Sequence, residues 1–160
     1  MIVWGGGTCN SDPCYFEYSG GRYDPVADIW LPTAISGNVP LGRMKHTTIW
    51  TGSTLIAWGG DYSYSSVAGY NTLSSGGRYN PVTDYWLPTS LDLSSPSQRD
   101  SHTTVWTGSE TIVWGGLDTN APYYLNSGGR YYHDVDHWLQ VSIGINVPAP
   151  RYLHTAVWAG

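Results

Sequence analysis

Several groups of side chains have types and spacings suited to chemistry. Cys9 and Cys14 bracket the loop CNSDPC. That spacing suits a small loop-closing disulfide and, with it, an oxidising compartment. Free thiols or two metal ligands are the alternatives, and no second Cys or His pair lies nearby in sequence to complete a metal set. His133 and His137 stand with Asp134 and Asp136 in YHDVDHW, enough ligand atoms for a metal ion. Positions i and i+4 converge on a helix, but not automatically across a strand, turn and strand, and the expectation is no metal. Arg43/His46, Arg99/His102 and Arg151/His154 form three identical pairs that would bind an anion if they lined one channel. A pair that recurs with the same Thr and Trp neighbours is better explained as framework. No GxSxG, HExxH or P-loop is present. The expected protein is not an enzyme and carries no cofactor.

The elements that must position these residues are repeated. WGG occurs at Trp4, Trp58 and Trp114, and GGRY at Gly20, Gly76 and Gly128. Asp-x-Trp follows at Asp28/Trp30, Asp84/Trp86 and Asp136/Trp138, and RxxHTxxW begins at Arg43, Arg99 and Arg151. Successive copies lie 52 to 56 residues apart, and all nine Trp and all six Arg occupy recurring positions. Such self-similarity marks a repeat architecture. Each repeat reads as four short strands: HTTIW, TLIAWGG, GGRYNP and DYWLPT. In the NPVTD turn Pro presets φ and Asp can bond its own backbone. Leu55 and Ala57 oppose Ile56 and Trp58 along the second strand. Four short strands cannot bury both faces alone and must stack on neighbouring copies.

The double glycine after an apolar strand, the Tyr, the Trp seven residues beyond it and the Arg-x-x-His lead-in resemble the kelch family, in its bacterial form. The resemblance covers essentially the whole chain. It implies an all-β propeller of kelch type with three four-stranded antiparallel blades, in pieces at about 1–42, 43–98 and 99–150, with 151–160 supplying strand one of a split blade. Family propellers close with six or seven blades. Two copies of the chain are therefore expected to close a six-bladed ring as a homodimer. A longer parent chain, or an engineered or excised half-propeller with assembly as its only activity, is the alternative. The resemblance also makes Gly5, Gly6, Gly59, Gly60, Gly115 and Gly116 backbone devices. Tyr23, Tyr79, Tyr131, Trp30, Trp86 and Trp138 should pack between blades, and Arg22, Arg78 and Arg130 should bridge to an adjacent blade. Copper-oxidase chemistry, found on some kelch-like propellers, is not carried over, because both Cys share one short loop.

Composition narrows the partners. The net charge is −5, Lys45 is the only lysine, and no basic cluster exists, which argues against nucleic acid. No apolar run reaches the length of a membrane-spanning helix. A secreted or cell-surface parent protein is favoured, although no signal peptide precedes the first motif. In an up-and-down blade the long connections share one rim: 7–19, 61–75 and 117–127, with the links 34–42, 90–98 and 141–150. They are rich in Tyr, Ser, Asn, Asp and Gly, the composition of adaptable binding loops. Expected contacts are Tyr15, Phe16, Tyr18, Asp61, Tyr62, Tyr64, Tyr70, Asp118, Tyr123 and Tyr124. The expected ligand is a protein or peptide, with carbohydrate as the alternative.

Overall fold

Side chains that alternate along each short apolar run give the described residues three antiparallel sheets of three or four strands, two further two-stranded sheets and no helix. The computed structural model describes residues 1–9, 14–65, 69–120 and 122–160, and the side chains of all of these but 63–65, 69 and 70. The first sheet holds β1 (Ile2–Trp4), β4 (Gly20–Asp24) and β5 (Ile29–Pro32), with the hairpin β2 (Gly7–Thr8) and β3 (Tyr15–Phe16) between β1 and β4. The second holds β6 (Thr47–Trp50), β7 (Leu55–Trp58), β10 (Gly76–Asn80) and β11 (Tyr85–Pro88), with the hairpin β8 (Asp61–Ser65) and β9 (Gly69–Thr72) inserted after β7. The third holds β12 (Thr103–Trp106), β13 (Thr111–Trp114), β14 (Gly128–Tyr132) and β15 (His137–Gln140). The last two pair in simple up-and-down order, while in the first, among the described residues, β1 is an edge strand.

The alternation on β7 packs the middle sheet on both faces. Leu55 and Ala57 join Tyr79 and Trp86 in a core closed by Trp4 of the first sheet. Ile56 and Trp58 join Val113, Tyr131 and Trp138 of the third. Trp4 meets Trp86 at a ring-centroid distance of 5.0 Å, and Trp58 meets Trp138 at 5.3 Å. Aromatic pairs of this kind add about 0.5–1.5 kcal/mol beyond the area they bury. Trp86 and Trp138 are 0% and 1% exposed, as expected of residues packed between sheets. Trp30, their counterpart, is 52% exposed, because among the described residues no sheet covers the outer face of the first one.

The hairpins between the last two strands of each sheet divide their polar work differently from the sequence expectation. Asn80, not the Asp at the end of NPVTD, bonds the turn: its Oδ1 accepts the Val82 N–H at 2.8 Å, and Asp24 does the same for Val26. Asp28, Asp84 and Asp136 sit instead at positive φ, between 50° and 55°, a conformation that Asp tolerates better than most residues. Each accepts the hydroxyl of Tyr23, Tyr79 or Tyr131 at 2.6 Å.

Candidate functional site

Because consecutive strands run antiparallel, each sheet carries its short turns at one end and its long connections at the other. The links between sheets are stitched to that second end. Met44, entering the middle sheet, exchanges two backbone hydrogen bonds of 2.9 Å with Asp61, which leaves β7. Asp100 and Leu117 do the same in the third sheet. Arg43 and Arg99 hold this end rigid. Arg43 Nη1 donates to Gly59 O and Ser75 O, and Arg99 Nη1 to Gly115 O and Ser127 O. Burial lowers both guanidinium pKa values to about 10. They are framework and present no anion site. Arg151, the third of the series, keeps its Nε on Ala149 O but is exposed.

The accompanying histidines lock the glycine turns. A side chain on Gly59 would lie 2.6 Å from His102 Cε1, and one on Gly115 equally close to His154 Cε1; both glycines have φ near 70°. His46, His102 and His154 lie edge-on to Trp4, Trp58 and Trp114. Burial, with a contribution from the neighbouring arginine, pushes His46 down to about 4 and His102 to about 3, so both are neutral imidazoles.

Above this frame lies a mainly apolar pocket of about 520 Å³, lined in part by Lys45, Asp100, Leu117, Tyr152 and Leu153. Lys45 Nζ is 2.7 Å from Asp61 Oδ2 and 3.9 Å from Asp100 Oδ2. Asp61 is fully buried beneath it, and burial raises the Asp100 pKa. Its volume falls in the range of small-ligand and peptide side-chain sites. Tyrosines ring the same end. Tyr124 and Tyr152 stack at 5.4 Å with both rings exposed, and Tyr15, Tyr18, Tyr62 and Tyr123 are exposed as well.

Each residue expected at the rim can be placed. Phe16 is half-buried on β3. Tyr64 and Tyr70 are register partners across β8 and β9, and their side chains lie outside the described residues, as do residues 10–13, 66–68 and 121 of the rim loops. Asp61 and Asp118 lie under the rim: Asp118 is 6% exposed and accepts the Asn120 N–H and Gln98 Nε2. Cys9 and Cys14 are joined in a disulfide at the base of the first loop. His133 and His137 reach different carboxylates, Asp134 and Asp92, each at 3.1 Å.

Lys45, Asp100 and Tyr152 were not expected at this site. Their signal lies in departures from the repeat. Lys45 stands where the other copies have Ser101 and Leu153, and Asp61 where they have Gly7 and Leu117. No protein-family model matches the chain, and no curated protein matches it either.

Proposed function

We propose that the chain is a kelch-type propeller unit that binds a protein or peptide through its long-connection end and catalyses no reaction. The exposed tyrosines of the long connections, with Tyr152 lining the Lys45 pocket and stacked on Tyr124, carry this reading. Tyr offers a large, rigid contact area with few rotors to freeze, and hot spots of protein interfaces are rich in it. The buried Arg43 and Arg99 give the loops a stiff base, which lowers the entropy lost on binding. The disulfide within the first loop fits a protein exposed to an oxidising compartment.

The stacked, exposed pair Tyr124 and Tyr152 favours carbohydrate as the second reading, since sugar rings lie well on open aromatic faces. Selection from a displayed peptide library, run beside a glycan array, separates the two. Enriched peptides whose binding is lost in Tyr124→Ala and Tyr152→Ala variants would support the first. Glycan binding lost in the same variants, without peptide enrichment, would replace it with the second. Silence in both would leave assembly as the chain's activity.

A further inference from the structure

The second and third sheets bury two acids against one base. Asp61 and Asp100 are 0% and 2% exposed, and Lys45 lies 2.7 Å from Asp61 Oδ2 and 3.9 Å from Asp100 Oδ2. At 3.9 Å the second contact is an ion pair without a hydrogen bond. Asp61 Oδ1 and Asp100 Oδ2 have no hydrogen-bond donor among the described residues. Burial raises the Asp100 pKa, the Ser101 bond and the Lys45 charge lower it, and Asp61 raises it. His46 and His102, which line the same pocket, are neutral and add no charge. The floor thus carries one negative charge more than its lysine balances. A buried carboxylate oxygen without a donor costs free energy that a donor from outside can recover.

The lysine is placed as a movable cover. Its backbone is held, because Ser101 N donates to Lys45 O at 3.2 Å and Leu153 N to Ser101 O at 3.0 Å. This belt joins equivalent residues of three lead-in segments, and only one of them brings a cation. The Lys45 side chain is 38% exposed and can leave the acids without disturbing the belt. Around its ammonium the walls are apolar: Leu117, Leu153 and the ring of Tyr152. An apolar wall over an acid floor matches a side chain with an aliphatic stem and a cationic head. Arginine suits the floor better than lysine. An ammonium is a point charge, and Lys45 bonds Asp61 while Asp100 stays at 3.9 Å. A planar guanidinium has five N–H donors and can serve two carboxylates at once.

We propose that this pocket takes an arginine side chain of a bound peptide, whose guanidinium displaces the Lys45 ammonium and donates to Asp61 and Asp100 together. The proposal rests on the peptide reading of the rim and adds the anchor residue and the group that it replaces. Lys45 acts as an internal competitor that keeps the acids paired until an arginine enters.

Isothermal titration with acetyl-Gly-Arg-Gly-amide and with its citrulline counterpart, which has the same shape and no charge, tests it. The arginine peptide is expected to bind at least about tenfold tighter, as charge-assisted hydrogen bonds in a pocket would make it. Asp100→Asn keeps the shape of the floor and should remove that difference. Lys45→Met removes the competitor; it should tighten arginine binding severalfold and leave citrulline binding unchanged. Near-UV circular dichroism at the titration temperature verifies that both variants are folded. Equal affinity for the two probes, or no saturable binding of either at millimolar concentration, would overturn the proposal. So would a Lys45→Met chain that binds the arginine probe no tighter than the parent does. The displayed-peptide selection separates this failure from failure of the reading beneath it. Enriched peptides that need Tyr124 and Tyr152, yet lack arginine and ignore Asp100→Asn, would keep the rim as a peptide site and remove the arginine pocket. Arginine-probe binding that Asp100→Asn abolishes, with no peptide enriched, would support the pocket and overturn the peptide reading.

Discussion

Tyr131 Oη donates to Asp136 Oδ1 at 2.6 Å, and the same oxygen accepts the Ser90 N–H of the neighbouring sheet at 2.8 Å. One carboxylate thus closes its own hairpin and fastens the next sheet, while Arg78 neutralises its other oxygen. Asp84 repeats the arrangement with Tyr79 and Ala34. Burial, more than the Asp136 bond, raises the Tyr131 pKa, so the hydroxyl remains a donor at any physiological pH.

Asp136→Ala is therefore expected to cost about 2–4 kcal/mol, since it strands a buried phenol and a backbone N–H together. Urea unfolding would show a lower midpoint at every protein concentration. Asp28→Ala should cost less, because Asp28 accepts the exposed Tyr23 hydroxyl and, among the described residues, fastens no second sheet. Equal shifts in both variants under dilute conditions would contradict the assigned roles.

Gly59→Ala and Gly52→Ala form a second contrast. Both positions have positive φ, 69° and 101°. A methyl on Gly52 meets nothing within 4 Å, whereas one on Gly59 meets His102 Cε1 at 2.6 Å and Arg99 O at 2.9 Å. Gly52→Ala should cost the backbone strain alone, about 1–2 kcal/mol. Gly59→Ala should cost about 3 kcal/mol or more, because the His102 ring is itself fully packed. Thermal unfolding of the two variants would rank them, and the opposite order would refute the steric role of the histidine.

The buried histidines set a pH dependence. His102 titrates at about 3 when folded against 6.5 when unfolded, and His46 at about 4. Below pH 6.5 the unfolded chain takes up protons that the folded chain refuses. The stabilisation is thus complete above about pH 6.5, falls as pH falls, and is exhausted near the folded values. Each histidine contributes a slope of up to about 1.4 kcal/mol per pH unit. Urea midpoints between pH 7 and 4.5 should drop accordingly, and His102→Gln should flatten the profile. A wild-type midpoint independent of pH over that range would refute the neutral-imidazole assignment.

The strands were legible in the sequence because their signals are local. Alternation in Leu55–Trp58 and the glycine pairs after it placed β7, and the same pattern placed β13. The packing of Trp86 and Trp138 between sheets was also legible, since a large aromatic recurring once per repeat has little else to do. What the repeat concealed were its exceptions. Asp61 reads as one more polar loop residue beside Tyr62, and only the Met44–Asp61 backbone pairing turns its carboxylate inward under Lys45. Tyr152 sits in a lead-in segment and not in a long loop, and its stacking on Tyr124 depends on how the third sheet's ends are folded together. Such contacts join residues from different elements, and no spacing along the chain encodes them.

Lys45 gives the most direct test of the pocket floor. Its ammonium is 2.7 Å from a carboxylate oxygen of Asp61, a residue that is 0% exposed, and it also faces Asp100. Asp61 Oδ1 has no hydrogen-bond partner among the described residues. Lys45→Met keeps the length and apolar stem of the side chain but leaves a buried carboxylate without its counter-charge. The Lys45 side chain is itself 38% exposed, so water screens part of the attraction, and stranding the buried Asp61 carboxylate is expected to cost about 1–3 kcal/mol, whereas replacing the whole set by neutral groups costs little. Lys45→Met should therefore lower the urea midpoint at pH 7. Adding Asp61→Asn and Asp100→Asn to the same chain should restore most of the loss. If Lys45→Met alone were neutral, the lysine would be a solvated surface charge and not the lid over two acids. If the triple variant stayed as unstable as the single one, the cost would lie in packing and not in charge.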